Sequence, residues 1–286
     1  MRTFIKSIAL AAVITLVSCV KDEGGDNPGN LSGEDVSISS RMDAISNDVS
    51  EIAEDQLAQQ SAARMSGTSR MNPPSILPSC ATVTTVVANN VWTSTIDFGT
   101  TGCQYYNGAI LKGIIIVSGS TNFAQSPYTW TYNFNNFYYN NIKVEGTKVL
   151  SRVVQATSLL ATPHPVVTID LNLHFTFPNG NQYDRTGTRV RELVEGYDTP
   201  LVFNDNVYLV TGSWITAGSS SSHLTTILTP LRFVVACQYK LTEGSFKVER
   251  NSHTAVVNYG DGTCDNNATV SYDGGTPIAF TFIFGN

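Results

Sequence analysis

The side chains that could do chemistry in this chain are scattered, and they form no known catalytic motif. The four histidines, His164, His174, His223 and His253, have no paired spacing. The sequence contains no Gly-x-Ser-x-Gly elbow, no zincin helix motif and no phosphate-binding glycine loop. His174 shares a predicted strand face with Asp170, but residues four apart in a strand are roughly 13 Å apart. We therefore expect no catalytic residue, no metal and no cofactor.

The cysteines offer a second kind of chemistry. Five are present, and one of them, Cys19, belongs to the N-terminal segment considered below. The other four are Cys80, Cys103, Cys237 and Cys264. Zinc sites need ligands at short paired spacings, whereas these four cysteines are far apart with no histidine beside them. An even number of cysteines in an exported protein predicts disulfides instead.

Two predicted hairpins choose among the three possible disulfide pairings. A turn at residues 251–252 places two of the cysteines opposite each other at the ends of one hairpin, with a bulge at 243–244 to absorb a small offset. A turn at residues 89–90 does the same, less closely, for the other two. The expected pairs are Cys80 with Cys103 and Cys237 with Cys264.

Three arginines on one predicted strand form a candidate ligand-binding group. Arg185, Arg189 and Arg191 share a strand face, with Glu192 and Glu195 nearby on the other face. Guanidinium groups bind carboxylates and other anions well, so an anion or carboxylate site is one interpretation. Cross-strand ion pairs at the surface are the more ordinary interpretation, and we expect those.

Aromatic residues form the other candidate group. Trp130, Tyr132 and Phe134 share one face of a predicted strand. Exposed aromatic faces suit sugar rings or apolar ligands, because each ring offers a flat apolar body. Since strands are enriched in aromatic residues in any case, burial in the core is the favoured interpretation.

The elements that must position these residues are strands. From residue 80 onward the apolar period is two, and the alternation over 167–177 ends at Asn179-Gly180, a type I′ hairpin signal. Nothing between the strands could form a crossover helix, so the sheet must be antiparallel. Long strands coil or bulge. Residues 67–286 are therefore predicted to be an all-β domain with a large, curved antiparallel sheet, arranged as a half-barrel or a sandwich.

One amphipathic helix is expected before the sheet, over residues 34–66. Apolar residues recur every three or four positions over 38–52, with acidic residues between them. Ser32 and Asp35 give a start that resembles a capping box, and Gly67 gives the stop. Because the apolar seam is narrow and spans fewer than three heptads, we expect the helix to dock on the sheet rather than pair with another helix.

The N-terminal segment predicts where the protein acts. Arg2 and Lys6 flank the start of an apolar run over 8–17, and a small residue precedes Cys19. This layout resembles a bacterial lipoprotein signal peptide, and the run is shorter than the roughly 20 residues of a spanning helix. Residues 1–18 are expected to be removed. Cys19 is expected to carry the lipid, with palmitate among its acyl chains. The membrane is then an expected partner, bound through this lipid.

The residues behind this cysteine predict a location outside the cell. Lys21, Asp22 and Glu23 resemble the surface-export signal of lipoproteins from Bacteroidota. The segment 19–33 is rich in Gly, Asn, Asp and Pro, which is typical of a flexible tether. We therefore expect a protein anchored in the outer membrane and facing the exterior.

The charge distribution limits the partners. The net charge is −6, and residues 19–70 hold ten acidic and four basic side chains, against thirteen and eleven in residues 71–286. A nearly neutral body provides no basic field for nucleic acid, so none is expected as a partner. The sequence leaves the oligomeric state open.

Four segments of the chain after residue 80 carry a family resemblance, and they are residues 134–148, 188–192, 196–200 and 259–265. They resemble stretches of an uncharacterised family of secreted lipoproteins of flavobacterial type, and the similarity covers most of the chain after residue 80. The resemblance implies an exported, β-rich domain and no known activity.

Three functions remain compatible with the sequence. The leading hypothesis is a non-catalytic cell-surface lipoprotein that serves as a structural, adhesive or glycan-binding module. The alternative is a carrier of lipid or another apolar ligand in the trough of a curved sheet, with the helix as its lid. This alternative requires an apolar gap under the helix. A hydrolase whose site assembles only in three dimensions is the second alternative.

Overall fold

The computed structural model describes residue 31 and residues 33–64, 74–199, 202–219 and 221–281. These residues form one long α-helix, a short 3₁₀ helix at Phe203–Asp205 and fourteen strands. The α-helix is α1 (Gly33–Arg64), and the strands are β1 (Thr82–Ala88), β2 (Val91–Asp97), β3 (Cys103–Gln104), β4 (Ile110–Ser120), β5 (Tyr128–Tyr139), β6 (Ile142–Gln155), β7 (His164–Thr176), β8 (Gln182–Glu195), β9 (Val207–Gly218), β10 (Ser222–Val234), β11 (Leu241–Arg250), β12 (His253–Asp261), β13 (Asn267–Tyr272) and β14 (Ile278–Thr281).

All fourteen strands belong to one antiparallel sheet. Their spatial order follows the chain from β1 to β14, except that β3 pairs only with β4 at one side of the path. Within the described residues β1 and β14 do not pair with each other, so the sheet is open rather than closed on itself. The prediction of a large antiparallel curved sheet after one helix is confirmed. The half-barrel alternative describes it better than the sandwich, because the strands form a single sheet.

Asparagine-rich turns connect the strands, as the sequence predicts. Both central residues have positive φ in the turns at Asn89-Asn90 (50° and 60°), Asn140-Asn141 (46° and 66°) and Asn251-Ser252 (48° and 71°). This is the conformation that a two-residue type I′ hairpin requires, and asparagine tolerates it better than most side chains. Local turn chemistry therefore sets the register of these hairpins.

Both predicted disulfides are present, joining Cys80 to Cys103 and Cys237 to Cys264. The second hairpin has the predicted register and bulge, with a shift between the pairs of Glu243 and Ser245. Gly244 occupies the bulge with φ of 103°, and a Cβ there would come within 2.4 Å of a backbone carbonyl on β10. Only glycine fits this position without displacing the neighbouring strand.

The helix lies in the concave face of the sheet, which we call the trough. Ser50 of the helix contacts Tyr132 on β5, while Asp43 contacts Arg185 on β8 and Asp35 contacts Arg250 on β11. Strands on both sides of the helix therefore reach it, which requires the sheet to curve around it. We call β1–β7 the first arm and β8–β14 the second arm.

The apolar seam of the helix packs against the first arm. It belongs to one buried cluster with Trp92, Ile115, Trp130 and other residues of β2–β7. The seam consists of Met42, Ile45, Val49, Ile52, Ala53 and Leu57. This confirms docking on the sheet.

The helix is more deeply buried than a narrow seam implies. It spans Gly33–Arg64 rather than 34–66, and its polar Ser39, Ser46 and Ser50 are buried as well. Arg185 of β8 covers Ser39, while Lys148 of β6 and Tyr132 of β5 cover Ser46 and Ser50. Both arms therefore enclose polar positions of the helix. The capping residue Ser32 and the stop at Gly67 lie outside the described residues. Within the described ranges, no helix has the combination of length and apolarity needed to cross a membrane.

A charge placed in the apolar seam should destabilise the fold. Ile45→Asp would bury a carboxylate among the aromatic residues of the first arm, and we expect the free energy of unfolding to fall by about 2 kcal/mol or more. Ser37→Asp, on an exposed position of the same helix, is the matched control and should change it by less than about 0.5 kcal/mol. Urea unfolding checks both, and equal stability of the two variants would contradict this packing.

Candidate functional site

Basic side chains of the sheet meet acidic side chains of the helix inside the trough. Asp43 accepts a hydrogen bond from Arg185 at 2.5 Å and also contacts Arg189. On β11, Arg250 binds Asp35 through both carboxylate oxygens, at 2.6 and 3.0 Å. Bidentate, charge-assisted pairs of this kind are the strong ones among protein hydrogen bonds. The polar side of the helix is therefore held by ion pairs.

The three arginines of β8 belong to this set. Arg191 contacts Glu54 of the helix, and the Arg189 guanidinium lies 3.8 Å from the centre of the Trp214 ring. Burial lowers the pKa of Arg185 to about 10, against the opposing charge of Asp43. Since nearby carboxylates compensate for the lost hydration, the arginines remain paired in the interior.

This arrangement corrects the prediction of cross-strand ion pairs at the surface. Arg185 is fully buried, and its ion-pair partner Asp43 comes from the helix, while the neighbouring strand β9 supplies only the neutral Thr216 hydroxyl. Glu192 instead lies 2.9 Å from the Nε2 atom of His164, and Glu195 pairs with Arg232 at 3.0 Å. The inward face of β8 is not a surface, because the sheet curves around the helix at that strand. The carboxylates that these arginines bind belong to the chain itself.

A buried lysine also reaches the helix from the first arm. Lys148 on β6 donates hydrogen bonds to the Ser46 carbonyl at 2.9 Å and to the Ser46 and Ser50 hydroxyls at 2.8 Å. Burial lowers the pKa of Lys148 well below its ordinary value, and the charges of Arg189 and Arg185 act in the same direction. Sequence reasoning missed this residue. The sequence did contain an indication of it. Lys148 lies two residues before Leu150, so the two side chains share the inward face of the strand.

The three aromatic candidates have core positions. Trp130 and Tyr132 are buried, and the Tyr132 hydroxyl lies 3.1 Å from the Ser50 hydroxyl of the helix. Phe134 is partly buried and stacks on Phe137 with ring centroids 5.3 Å apart. Two of the three residues are therefore buried in the core, as the sequence favoured, and Phe134 packs against that core while partly exposed.

A cavity of about 500 Å³ lies between the helix and the second arm. The sheet side of the cavity is mainly apolar, with both buried and half-buried side chains, and it also carries the charged Arg189 and Lys240. The helix side is mainly polar and made of short side chains. The apolar wall includes Val210, Trp214, Leu231, Phe233, Val235, Leu241 and Phe246, and the helix wall consists of Ser40, Asp43, Ala44, Asn47 and Asp48. The cavity therefore has a mainly apolar wall on the sheet and a mainly polar wall on the helix.

A second cavity of about 500 Å³ lies nearer the start of the helix. Ile142 and Tyr139 line it from the first arm, and Phe280 lines it from the second arm. Ser40, Ala44 and Tyr259 line both cavities. The two spaces are therefore neighbours along the same face of the helix.

Two loops meet over the helix at the edge of the first cavity. Tyr106 lies in the β3–β4 turn and Lys240 in the β10–β11 connection, and their side-chain polar atoms are in contact. Both also bind Glu51 of the helix, the tyrosine hydroxyl donating at 2.6 Å and the lysine at 2.9 Å. We call Glu51, Tyr106 and Lys240 the clasp. It joins the two arms across the open side of the trough.

One carboxyl group beside the clasp has unusual electrostatics. Asp48 accepts hydrogen bonds from the Tyr139 hydroxyl at 2.5 Å and from the Asn107 amide at 2.7 Å. Burial, followed by the nearby charge of Glu51, raises the pKa of Asp48 to about 7. Sequence reasoning missed the clasp and Asp48, because nothing in the local sequence indicates that residues so far apart meet.

His174 and Asp170, which the sequence places on one strand face, bind different partners. Among the described residues no group of three or more His, Cys, Asp or Glu side chains is placed to hold a metal ion. His174 lies 2.7 Å from Asp184 on the next strand, and Asp170 accepts a hydrogen bond from Thr188. The two residues therefore belong to the polar outer face of the sheet.

No family model, curated protein or solved structure matches this chain. The interpretation of the site therefore depends on its own geometry. Cys19, the expected lipidation site, lies outside the described residues, so its acylation stays a prediction.

Removing the carboxylate shared by two arginines should be costly. Asp43→Asn would leave Arg185 and Arg189 buried without their common anion, and we expect a loss of about 3 to 5 kcal/mol in the free energy of unfolding. Glu249→Gln is the control, because Glu249 pairs with Lys247 where both side chains are partly exposed, and it should cost less than about 1 kcal/mol. Denaturant unfolding measures both losses. A loss at Asp43 no larger than that of the control would show that the buried pairs do not hold the helix.

Proposed function

We propose that this protein is a non-catalytic, lipid-anchored binding protein of the cell surface, and that it holds a small apolar ligand between its helix and its second arm. The observation that carries the proposal is the cavity of about 500 Å³ on that side of the trough. Ligand pockets commonly have volumes of about 300 to 1,000 Å³. This favours the carrier alternative over a purely structural or adhesive module.

The contrast between the two arms supports a binding role. Protein interiors are ordinarily close-packed, and large side chains of the first arm join the apolar seam of the helix in one buried cluster. On the second arm Leu231, Phe233 and Val235 line open space instead. Apolar side chains that line a space of this size gain stability when an apolar ligand covers them.

The charges at the cavity favour an uncharged ligand. Asp43 is neutralised by Arg185 and Arg189, and Lys240 is paired with Glu51. A charged ligand would therefore have to lose its own hydration or displace one of these pairs, and either change is unfavourable. An apolar body with at most a neutral polar group is the ligand chemistry that the walls suit.

The same contacts argue for binding rather than hydrolysis. Asp48 and Asp43 are both carboxyl groups at the cavity, and their surroundings differ. Two such groups could serve as acid and base in a hydrolase. Here the first is held by Tyr139 and Asn107 and the second by arginines, so both already have structural partners.

Anchoring at the cell surface is the second part of the proposal. It is supported by the lipoprotein-like segment before Cys19, by the acidic residues behind it and by the resemblance to secreted lipoproteins. The two disulfides are compatible with it, since stable disulfides are typical of oxidising compartments. The partners are then a membrane, through the lipid, and a small ligand, with no nucleic acid.

Replacing the expected lipid-bearing cysteine should release the protein from the membrane. We expect Cys19→Ala to appear in the soluble fraction, because each buried methylene of a lipid chain contributes about 0.8 kcal/mol to membrane affinity. Protease added to intact cells should digest the wild-type protein. Complete protection of the body would place it in the periplasm and contradict surface exposure.

Filling the cavity should prevent ligand binding. Leu231→Trp places a large side chain in the cavity, whereas Leu228→Trp on the same strand changes an exposed position. We expect native mass spectrometry of the wild type and the control to show a bound apolar molecule, and the added probe Nile red to bind both at least tenfold more tightly than Leu231→Trp. Equal binding by Leu231→Trp and Leu228→Trp would show that the ligand binds outside this cavity. If neither the wild type nor the control binds any apolar molecule, the proposed function is wrong.

A further inference from the structure

The clasp closes one end of the cavity proposed as the ligand site. Tyr106 and Lys240 line this cavity as well as forming the clasp, and Asp48 lies between the clasp and the interior. The strands next to the two loops, β4 and β11, are separated by many strands in the sheet order. Contact between these loops therefore depends on the side chains that meet over the helix. Loss of those contacts would open the cavity at this end.

We propose that the clasp is a pH-operated gate of the ligand cavity, closed when Asp48 is protonated and open when Asp48 is charged. The proposal rests on the proposed function of the cavity. It assigns a regulatory role to contacts that would otherwise only hold the helix in place.

The charge balance at the clasp supports this inference. Asp48 and Glu51 are three residues apart on the helix, so their side chains are neighbours on its surface. One cation, Lys240, faces both of them from the β10–β11 connection, and it binds Glu51 directly. With a neutral Asp48 the cluster holds one anion and one cation. With a charged Asp48 it holds two anions for the same cation.

The remaining groups around Asp48 do not supply a second positive charge. Tyr139 comes from β5, and Tyr105, Tyr106 and Asn107 come from the β3–β4 turn. All four are neutral side chains, and the phenols of Tyr105 and Tyr106 have their pKa raised by burial. A buried carboxylate without a matching cation is unfavourable, and movement of the loops toward solvent would let water hydrate it.

The direction of the pH dependence follows from the same groups. In the closed form the pKa of Asp48 is raised to about 7 from an ordinary 3.8. The closed form therefore binds this proton more tightly than an open form in which the carboxyl is hydrated. Its advantage is complete below pH 3.8 and is lost as the pH rises through about 7.

The gate can be tested by the dissociation rate of Nile red, a neutral probe, between pH 5.5 and 8.5. We expect the rate to rise at least tenfold over this range in the wild type and in Asp170→Asn, a control at an exposed carboxylate. Asp48→Asn keeps the shape and removes the titration, so its dissociation should stay slow at both pH values. A full pH dependence in Asp48→Asn would overturn the assignment of the gate to this residue.

A second variant keeps the test decisive if Asp48→Asn does not fold. Glu51→Gln removes a member of the clasp and also the charge that helps to raise the pKa of Asp48. Its dissociation should already be fast at pH 5.5 and should rise by much less than tenfold up to pH 8.5. Slow dissociation at pH 5.5 with the full wild-type pH dependence would contradict the gate.

Hydrogen exchange separates failure of the gate from failure of the ligand site. After correction for the intrinsic pH dependence of exchange, the amides of residues 105–109 and 237–241 should lose protection as the wild type passes from pH 5.5 to 8.5. Those of Asp48→Asn should not. If the wild type shows this loss but binds no Nile red, the clasp opens as inferred and the proposed ligand function is wrong. Unchanged protection in the wild type overturns the gate, whatever binds.

Discussion

The arrangement depends on one constraint: the concave face of a single open sheet must be filled, and one helix fills it. A sandwich would bury that face against a second sheet, but here the strands continue in one sheet from β1 to β14. The helix must therefore satisfy both arms at once. Its apolar seam packs against the first arm, while Asp35, Asp43 and Glu54 meet arginines of the second arm. The first contact is mainly apolar, although Lys148 of the first arm binds Ser46 and Ser50. The second contact includes the ion pairs, although Val36 joins the apolar cluster of that arm.

Apolar and ionic contacts fill space differently. Large apolar side chains adapt to one another and exclude voids. An ion pair fixes the distance between two charged groups, and the side chains between the pairs need not touch. On the second arm the helix presents Ser40, Ala44 and Asn47 between its charged positions, and the sheet opposite is apolar. A cavity at this place is thus a consequence of joining a polar helix face to an apolar wall through a few arginines.

Local sequence rules predicted the fold well where the determining residues are close together in the chain. Turn residues such as Asn89-Asn90 predicted the hairpin turns, and the alternation of apolar and polar residues predicted the strands. The hairpin register then predicted both disulfides and the bulge at Gly244. The two-residue strand β3 was not predicted, because so short a segment has no period.

Contacts across the trough were not predictable in the same way. Arg185 is on a strand whose alternation alone does not show which face is inside. Its burial follows from the curvature of the sheet and from an acidic helix more than a hundred residues earlier in the chain. Lys148 was detectable in principle, because it occupies an inward position among apolar residues. The clasp was not, since it joins positions 51, 106 and 240.

The ion pairs also explain why the cavity and the clasp occur where they do. A one-turn slip of the helix would move it by 5.4 Å along its axis. Much of the apolar packing could re-form after such a slip, because the seam repeats similar side chains at each turn. The ion pairs could not, since Asp35, Asp43 and Glu51 each meet a different partner on the second arm or in its loops. Buried polar contacts often contribute more to a unique arrangement than to stability. In this protein they set the register that places Ala44 beside the cavity and Asp48 beneath the clasp, so the same interactions that hold the helix determine both the shape of the proposed site and its control.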